Sequence, residues 1–96
     1  VQIKGTLDFI LNTTNVSLDW GAYIQALAPK GTLHHVGAVL EPMAIGAFSL
    51  IGGEKKISGS PLGSPALNRL MLDFCERHNI LPIVEEFPMT DVNKAI

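Results

Sequence analysis

Apolar residues near the start of the chain repeat with a period of two. Leu7, Phe9 and Leu11 alternate with Asp8, Ile10 and Asn12, but Ile10 is itself apolar, so the pattern is that of a strand covered on both faces. The run ends in the polar turn residues Asn12-Thr13-Thr14-Asn15. The period then changes to that of a helix. Ser17 is expected as the N-cap with Asp19 in the first turn, and Trp20, Tyr23, Ile24 and Leu27 follow at i, i+3, i+4 and i+7. Pro29 is expected to stop this helix, Lys30-Gly31 to turn the chain, and Thr32 to Val36 to form a second strand that opens into a loop at Gly37-Ala38. A strand, a helix and a strand joined so tightly are parallel neighbours with a right-handed crossover.

Glu41 to Ile51 is too apolar for a free loop and too broken by glycine for a long helix; it reads as a short extended piece and then a helical turn. Lys55 to Ser60 is expected to be a third strand, and Pro61 ends it because proline cannot donate to a ladder. Ser64 and Pro65 suit the N-cap and first position of the clearest helix. On that helix Leu67, Leu70, Met71, Phe74, Cys75 and His78 share one face, opposite Asn68, Arg69, Asp73, Glu76 and Arg77, and Asn79 is the stop. Ile80 to Phe87 reads as a further extended segment interrupted by Pro82, and Thr90 or Asp91 as the cap of a final helix. The whole predicts an α/β fold with three parallel strands near residues 6–13, 32–37 and 55–60 and helices from Ser17 and Ser64: part of a Rossmann-type, doubly wound parallel sheet.

That fold class usually carries a glycine-rich phosphate turn, and here neither GxGxxG nor GxxxxGK[ST] occurs. The chain therefore reads as the second half of a nucleotide-binding fold, cut from a longer enzyme at both ends. Composition agrees. Of 96 residues 47% are hydrophobic, more than a lone small domain needs, which points to faces built to meet other segments or another subunit. The formal net charge of -2, with no basic run, argues against a nucleic-acid partner. No apolar run approaches the ~20 residues that span a bilayer. A single cysteine, Cys75, excludes an internal disulfide framework or a cysteine-rich zinc site within this chain and fits a cytoplasmic setting.

Catalytic constellations are not evident. His34 and His35 are successive strand residues whose side chains point to opposite faces, so they cannot ligate one metal together. His78 sits near a helix C-terminus, where a positive imidazole is favoured structurally. Glu85 and Glu86 alternate across an extended segment and form no acid/base pair. Ser49, Ser58, Ser60 and Ser64 lack a GxSxG setting. Catalytic residues and metal ligands are thus expected to be none.

Four segments resemble, in order and spacing, the zinc-type medium-chain alcohol dehydrogenases, and within them the cinnamyl-alcohol-dehydrogenase-like group. They are Leu7-Asp8-Phe9-Ile10-Leu11-Asn12-Thr13, the strand Lys30-Gly31-Thr32 to Val36-Gly37-Ala38, Gly59-Ser60-Pro61-Leu62-Gly63-Ser64, and Met71 to Ile80. The resemblance implies that residues 1–79 are the C-terminal half of the dinucleotide-binding domain and 80–96 the return toward a catalytic domain. It implies NAD(P) as cofactor, NADP slightly favoured, and a small alcohol or aldehyde as substrate. Thr13 and Thr14 would lie beside the adenosine and nicotinamide-ribose region, Val36, Gly37 and Ala38 along the nicotinamide ring, and Gly59, Ser60 and Leu62 toward the carboxamide. Such a crevice lies at the carboxyl ends of parallel strands. Zinc would be held in the longer enzyme by ligands outside this chain, and the chain alone would be inactive. A homodimer is implied through the apolar Met43–Phe48 edge, where two chains would pair as antiparallel strands.

Two other readings share the strand pattern. One is a zinc-free quinone-reductase-like or methyltransferase-like nucleotide-binding enzyme; the other is a non-catalytic α/β module whose apolar edges serve assembly. A glycine-rich turn with zinc-ligand cysteines in the preceding sequence would select the dehydrogenase, the turn alone the zinc-free enzyme, and neither the assembly module.

Overall fold

Three strands lie side by side in the computed structural model, which describes residues 3–96. Strand β1 (Leu7–Asn12) pairs parallel with β2 (Leu27–His35), and β2 pairs parallel with β3 (Lys56–Gly59), in the spatial order β1-β2-β3. Helix α1 (Trp20–Ala26) connects β1 to β2, and α2 (Ala47–Ile51) precedes β3. The chain packs as two compact units, one ending at Leu62 and one running from Gly63 to Ile96. This division by packing falls earlier than residue 79, where domain membership is expected to change in a longer protein.

In the first unit the core is small. Trp20 and Ile24 from α1 meet Leu27 and Leu33 from β2, and Ile10, Leu18, Val39, Met43, Ile45 and Leu50 pack around them. The opposite sheet face is open: Phe9 and Leu11 are more than half exposed. The two-sided cover expected for β1 is therefore absent among the described residues. Pleating explains the split, since Ile10 and Leu33 point one way and their chain neighbours the other.

Helix α1 starts later than expected. Asp19, not Ser17, is its N-cap, and the Asp19 Oδ1 accepts from the Ala22 amide at 3.1 Å. Both residue types cap well, but starting at Asp19 leaves Leu18 outside the helix to pack on the core. The helix also ends earlier, at Ala26. Pro29 disfavours helical backbone at Ala28, and Leu27 is already extended (φ -66, ψ 134). Leu27 thus belongs to β2 and reaches the same core from a strand. Between the pairs Leu7↔Leu27 and Phe9↔Thr32 the register shifts, with Lys30 in the left-handed region at φ 66.

The end of α1 is stitched from both directions. Its last carbonyls, which lack partners within a helix, accept from Gly5 N (onto Gln25, 2.9 Å), Thr6 N (onto Ala26, 3.0 Å) and the Lys55 ammonium (onto Ile24, 2.7 Å). The Lys30 amide donates to the Gly53 carbonyl at 2.7 Å, joining the same turn to the chain before β3.

Met43–Phe48 follows the expected order of an extended piece and then a helical turn, but not the expected sheet edge. Residues 41–46 form no strand, Ala47 and Phe48 open α2, and Met43 and Ile45 turn into the core. The edge of the sheet beyond β2 is β3.

In the second unit, α3 (Pro65–Arg77) is bounded as its sequence requires. The Ser64 Oγ accepts from the Leu67 amide at 3.2 Å, with Pro65 in the first turn. At the other end the Ile80 amide reaches the Cys75 carbonyl (2.9 Å) and the Asn79 amide the Glu76 carbonyl (3.2 Å), a Schellman closure with Asn79 at φ 53. None of α3's residues is fully buried. Residues 80–87 form no strand, and a 3₁₀ turn (Met89–Asp91) leads into α4 (Val92–Ala95). Asp91 stands at the α4 N-cap but makes no capping hydrogen bond there, binding Lys94 instead at 3.1 Å; Thr90 lies inside the 3₁₀ turn.

Candidate functional site

Because all three strands run parallel, their carboxyl ends lie along one edge of the sheet, with Asn12 opposite His35 and His35 opposite Gly59. The segments that leave those ends are Thr13-Thr14, Val36-Gly37-Ala38 and Ser60-Pro61-Leu62, which carry the residues singled out from the sequence.

The first two segments are in contact. A Cβ at Gly37 would lie 2.0 Å from the Thr14 carbonyl oxygen and 2.6 Å from the Thr13 carbonyl carbon, so only glycine lets these backbones meet. The Asn12 carbonyl accepts from both the Val36 amide (2.9 Å) and the Gly37 amide (3.1 Å), which joins the end of β1 to the loop after β2. Thr13, Thr14, Val36 and Ala38 remain exposed, while Gly37 is half-buried.

The third segment joins on the other side of β2. The Ser60 amide donates to the His35 carbonyl at 3.1 Å, and a Cβ at Gly59 would meet that same oxygen at 3.2 Å. Gly59 and Ser60 are thus seated beside the start of Val36-Gly37. Leu62 is not gathered in: it lies two residues further on and is 98% exposed.

Two histidines brace this arrangement from opposite faces of β2. His34 places Nδ1 2.8 Å from Ser58 Oγ and Nε2 3.0 Å from Ser60 Oγ, with its ring stacked on Phe9. His35 places Nδ1 3.1 Å from Asn12 Nδ2 and packs edgewise on Trp20, the ring centroids 5.0 Å apart. Asn12 itself is 6% exposed, and its Oδ1 accepts from the Thr14 amide (3.2 Å) and hydroxyl (2.8 Å). Reading the sequence as a sequence misses Asn12, because a polar residue at a strand end looks like the first residue of a turn. The adjacent hydroxyls of Thr13 and Thr14 were the available signal, since a short amide beside them can form a local hydrogen-bonded turn.

Among the described residues no cluster of three or more His, Cys, Asp or Glu side chains could hold a metal. A cavity of about 540 Å³ lies within the second unit, lined mostly by apolar side chains including Met71, Ile80 and Leu81, and none of the strand-end residues lines it. No helix among the described residues is long and apolar enough to cross a membrane.

A parallel sheet with helical crossovers defines a Rossmann-type α/β fold. Solved structures agree. A cinnamyl alcohol dehydrogenase from Sorghum bicolor superposes with a TM-score of 0.85 at 32% identity, over 97% of this chain and 26% of that one. A cinnamyl alcohol dehydrogenase from Helicobacter pylori, solved in complex with NADP(H), gives 0.76 at 31% identity, over 96% and 27%. In sequence, the aldehyde reductase AdhA of Synechocystis is 48% identical over 97% of this chain and 28% of its own length. An NADP-dependent alcohol dehydrogenase C of Mycolicibacterium smegmatis is 35% identical over 98% and 27%. No protein-family model matches the chain. The chain belongs to the alcohol dehydrogenase family, in the group of the cinnamyl alcohol dehydrogenases, and it spans roughly a quarter of the length of these relatives.

Proposed function

We propose that this chain is the back half of the dinucleotide-binding domain of a cytoplasmic NADP(H)-dependent alcohol dehydrogenase or aldehyde reductase. The observation that carries the reading is the joining of Thr13-Thr14, Val36-Gly37-Ala38 and Gly59-Ser60 at one sheet edge, with most of these residues open to solvent. A relative of the same fold holding NADP(H) and another named NADP-dependent support the choice of cofactor.

The residues present suit a nicotinamide dinucleotide. Gly37 and Gly59 allow close approach of backbone, and the Thr13, Thr14 and Ser60 hydroxyls offer donors and acceptors at an accessible edge. Val36 and Ala38 would offer apolar surface to the ring. When bound, the dinucleotide supplies the hydride exchanged with a small alcohol or aldehyde. The chain's own part is to bind and orient it. Zinc does not fit the described residues, which offer no donor set, so its ligands in the proposed enzyme belong to other segments.

The proposed enzyme is a homodimer. Since residues 41–46 form no strand, the contact is assigned to α2, where Phe48 is 87% exposed and Ile51 is 66% exposed, rather than to strand pairing by Met43–Phe48.

The reading is tested on a full-length protein containing this segment, by titrating NADPH and NADH against intrinsic fluorescence and following oxidation of the reduced dinucleotide with small aldehydes. Saturable binding with turnover is expected. Binding of neither dinucleotide would overturn it.

A further inference from the structure

Among the described residues Asn12 is the one polar side chain that is buried, and its side-chain amide is committed on both sides to the strand-end residues Thr14 and His35. The geometry fixes its orientation. A backbone amide can only donate, so the atom facing Thr14 N is Oδ1; Nδ2 then faces His35 and can only donate in turn. His35 Nδ1 must therefore accept, which makes the ring the Nε2–H tautomer. That Nε2 is buried without a hydrogen-bond partner, in a ring lying edgewise to Trp20, where an N–H can meet an aromatic face.

The main chain of Asn12 holds the neighbouring segment, its carbonyl accepting from Val36 and Gly37. One residue thus ties Thr14 and Gly37 in the arrangement that lets their backbones touch. We propose that Asn12, oriented by His35, is a positioning residue for the dinucleotide: it sets the Thr13-Thr14 backbone against Val36-Gly37 at the edge where the cofactor lies. This rests on the dinucleotide reading given above.

The test uses the full-length protein, NADPH titration and ring ¹⁵N spectra of His35. If the unmodified protein binds no dinucleotide, the underlying reading fails; if it binds, the variants decide the role of Asn12. Asn12→Leu removes the network and is expected to raise the NADPH dissociation constant and KM about tenfold, with kcat at saturating dinucleotide changing less. Asn12→Asp keeps both acceptor contacts to Thr14 and removes the donors to His35 and to the Thr14 carbonyl, so His35 Nδ1 is expected to become protonated while affinity stays within about twofold. A folded Asn12→Leu protein with unchanged affinity would overturn the proposal, as would a His35 whose Nδ1 stays unprotonated in Asn12→Asp. Should Asn12→Leu fail to fold, Asn12→Ala takes its place, with the same rise in the NADPH dissociation constant expected and an unchanged affinity overturning the proposal.

Discussion

A single methyl group separates glycine from alanine, and at position 37 that methyl would have to occupy the Thr14 carbonyl. Gly37→Ala must therefore push two strand-end segments apart, both of them backbone, and neither can rotate away as a side chain could. The expected cost is about 1–3 kcal/mol or more of stability, by urea unfolding, together with weakened NADPH binding. At Gly59 the clash is milder, 3.2 Å to the His35 carbonyl, so the same substitution there is expected to cost less. The contrast shows what a residue-by-residue reading can reach. Thr13, Gly37 and Gly59 were legible because turn residues and glycines mark strand ends. Asn12 was not, because burial of a polar side chain is set by a histidine more than twenty residues away.

At the scale of elements, local rules held where they were decisive. Ser64, Pro65 and Asn79 bound α3 through contacts made within a few residues, so both ends could be read directly. Ser64→Ala is expected to lose about 1 kcal/mol of stability, measured by thermal unfolding, because the Leu67 amide loses its acceptor. The boundaries of α1 moved for reasons that no local signal carries. Two capping residues compete at Ser17 and Asp19, and Leu27 matches the helical spacing while serving the core from a strand. The core decides both. Ile24 has no accessible surface, so Ile24→Ala is expected to cost about 2–5 kcal/mol, by chemical denaturation.

The whole molecule spans roughly a quarter of its relatives' length, and one face of its sheet is open, with Phe9 and Leu11 more than half exposed. The sequence beside the three strand ends holds no phosphate-binding glycine turn. The isolated 96-residue chain is therefore expected to show no dehydrogenase turnover and far weaker NADPH binding than a full-length protein containing it, measured side by side. Dimerisation tests the outer surface. Phe48→Lys in the full-length protein is expected to shift the sedimentation profile toward monomer; an unchanged dimer would remove α2 from the interface.

The stitched end of α1 also sets an order in time. Two of its terminal carbonyls are met by Gly5 and Thr6, already synthesised when the helix emerges, but the Ile24 carbonyl waits for Lys55. At about 5–20 residues per second, the ribosome exposes a completed helix for some seconds before its last donor arrives. A nascent chain halted before Lys55 should thus carry a helix that frays at its end, and one extended through β3 a helix that holds. Amide exchange of Tyr23 to Ala26 in the two arrested chains would record the difference, with Lys55→Met making the longer chain behave like the shorter.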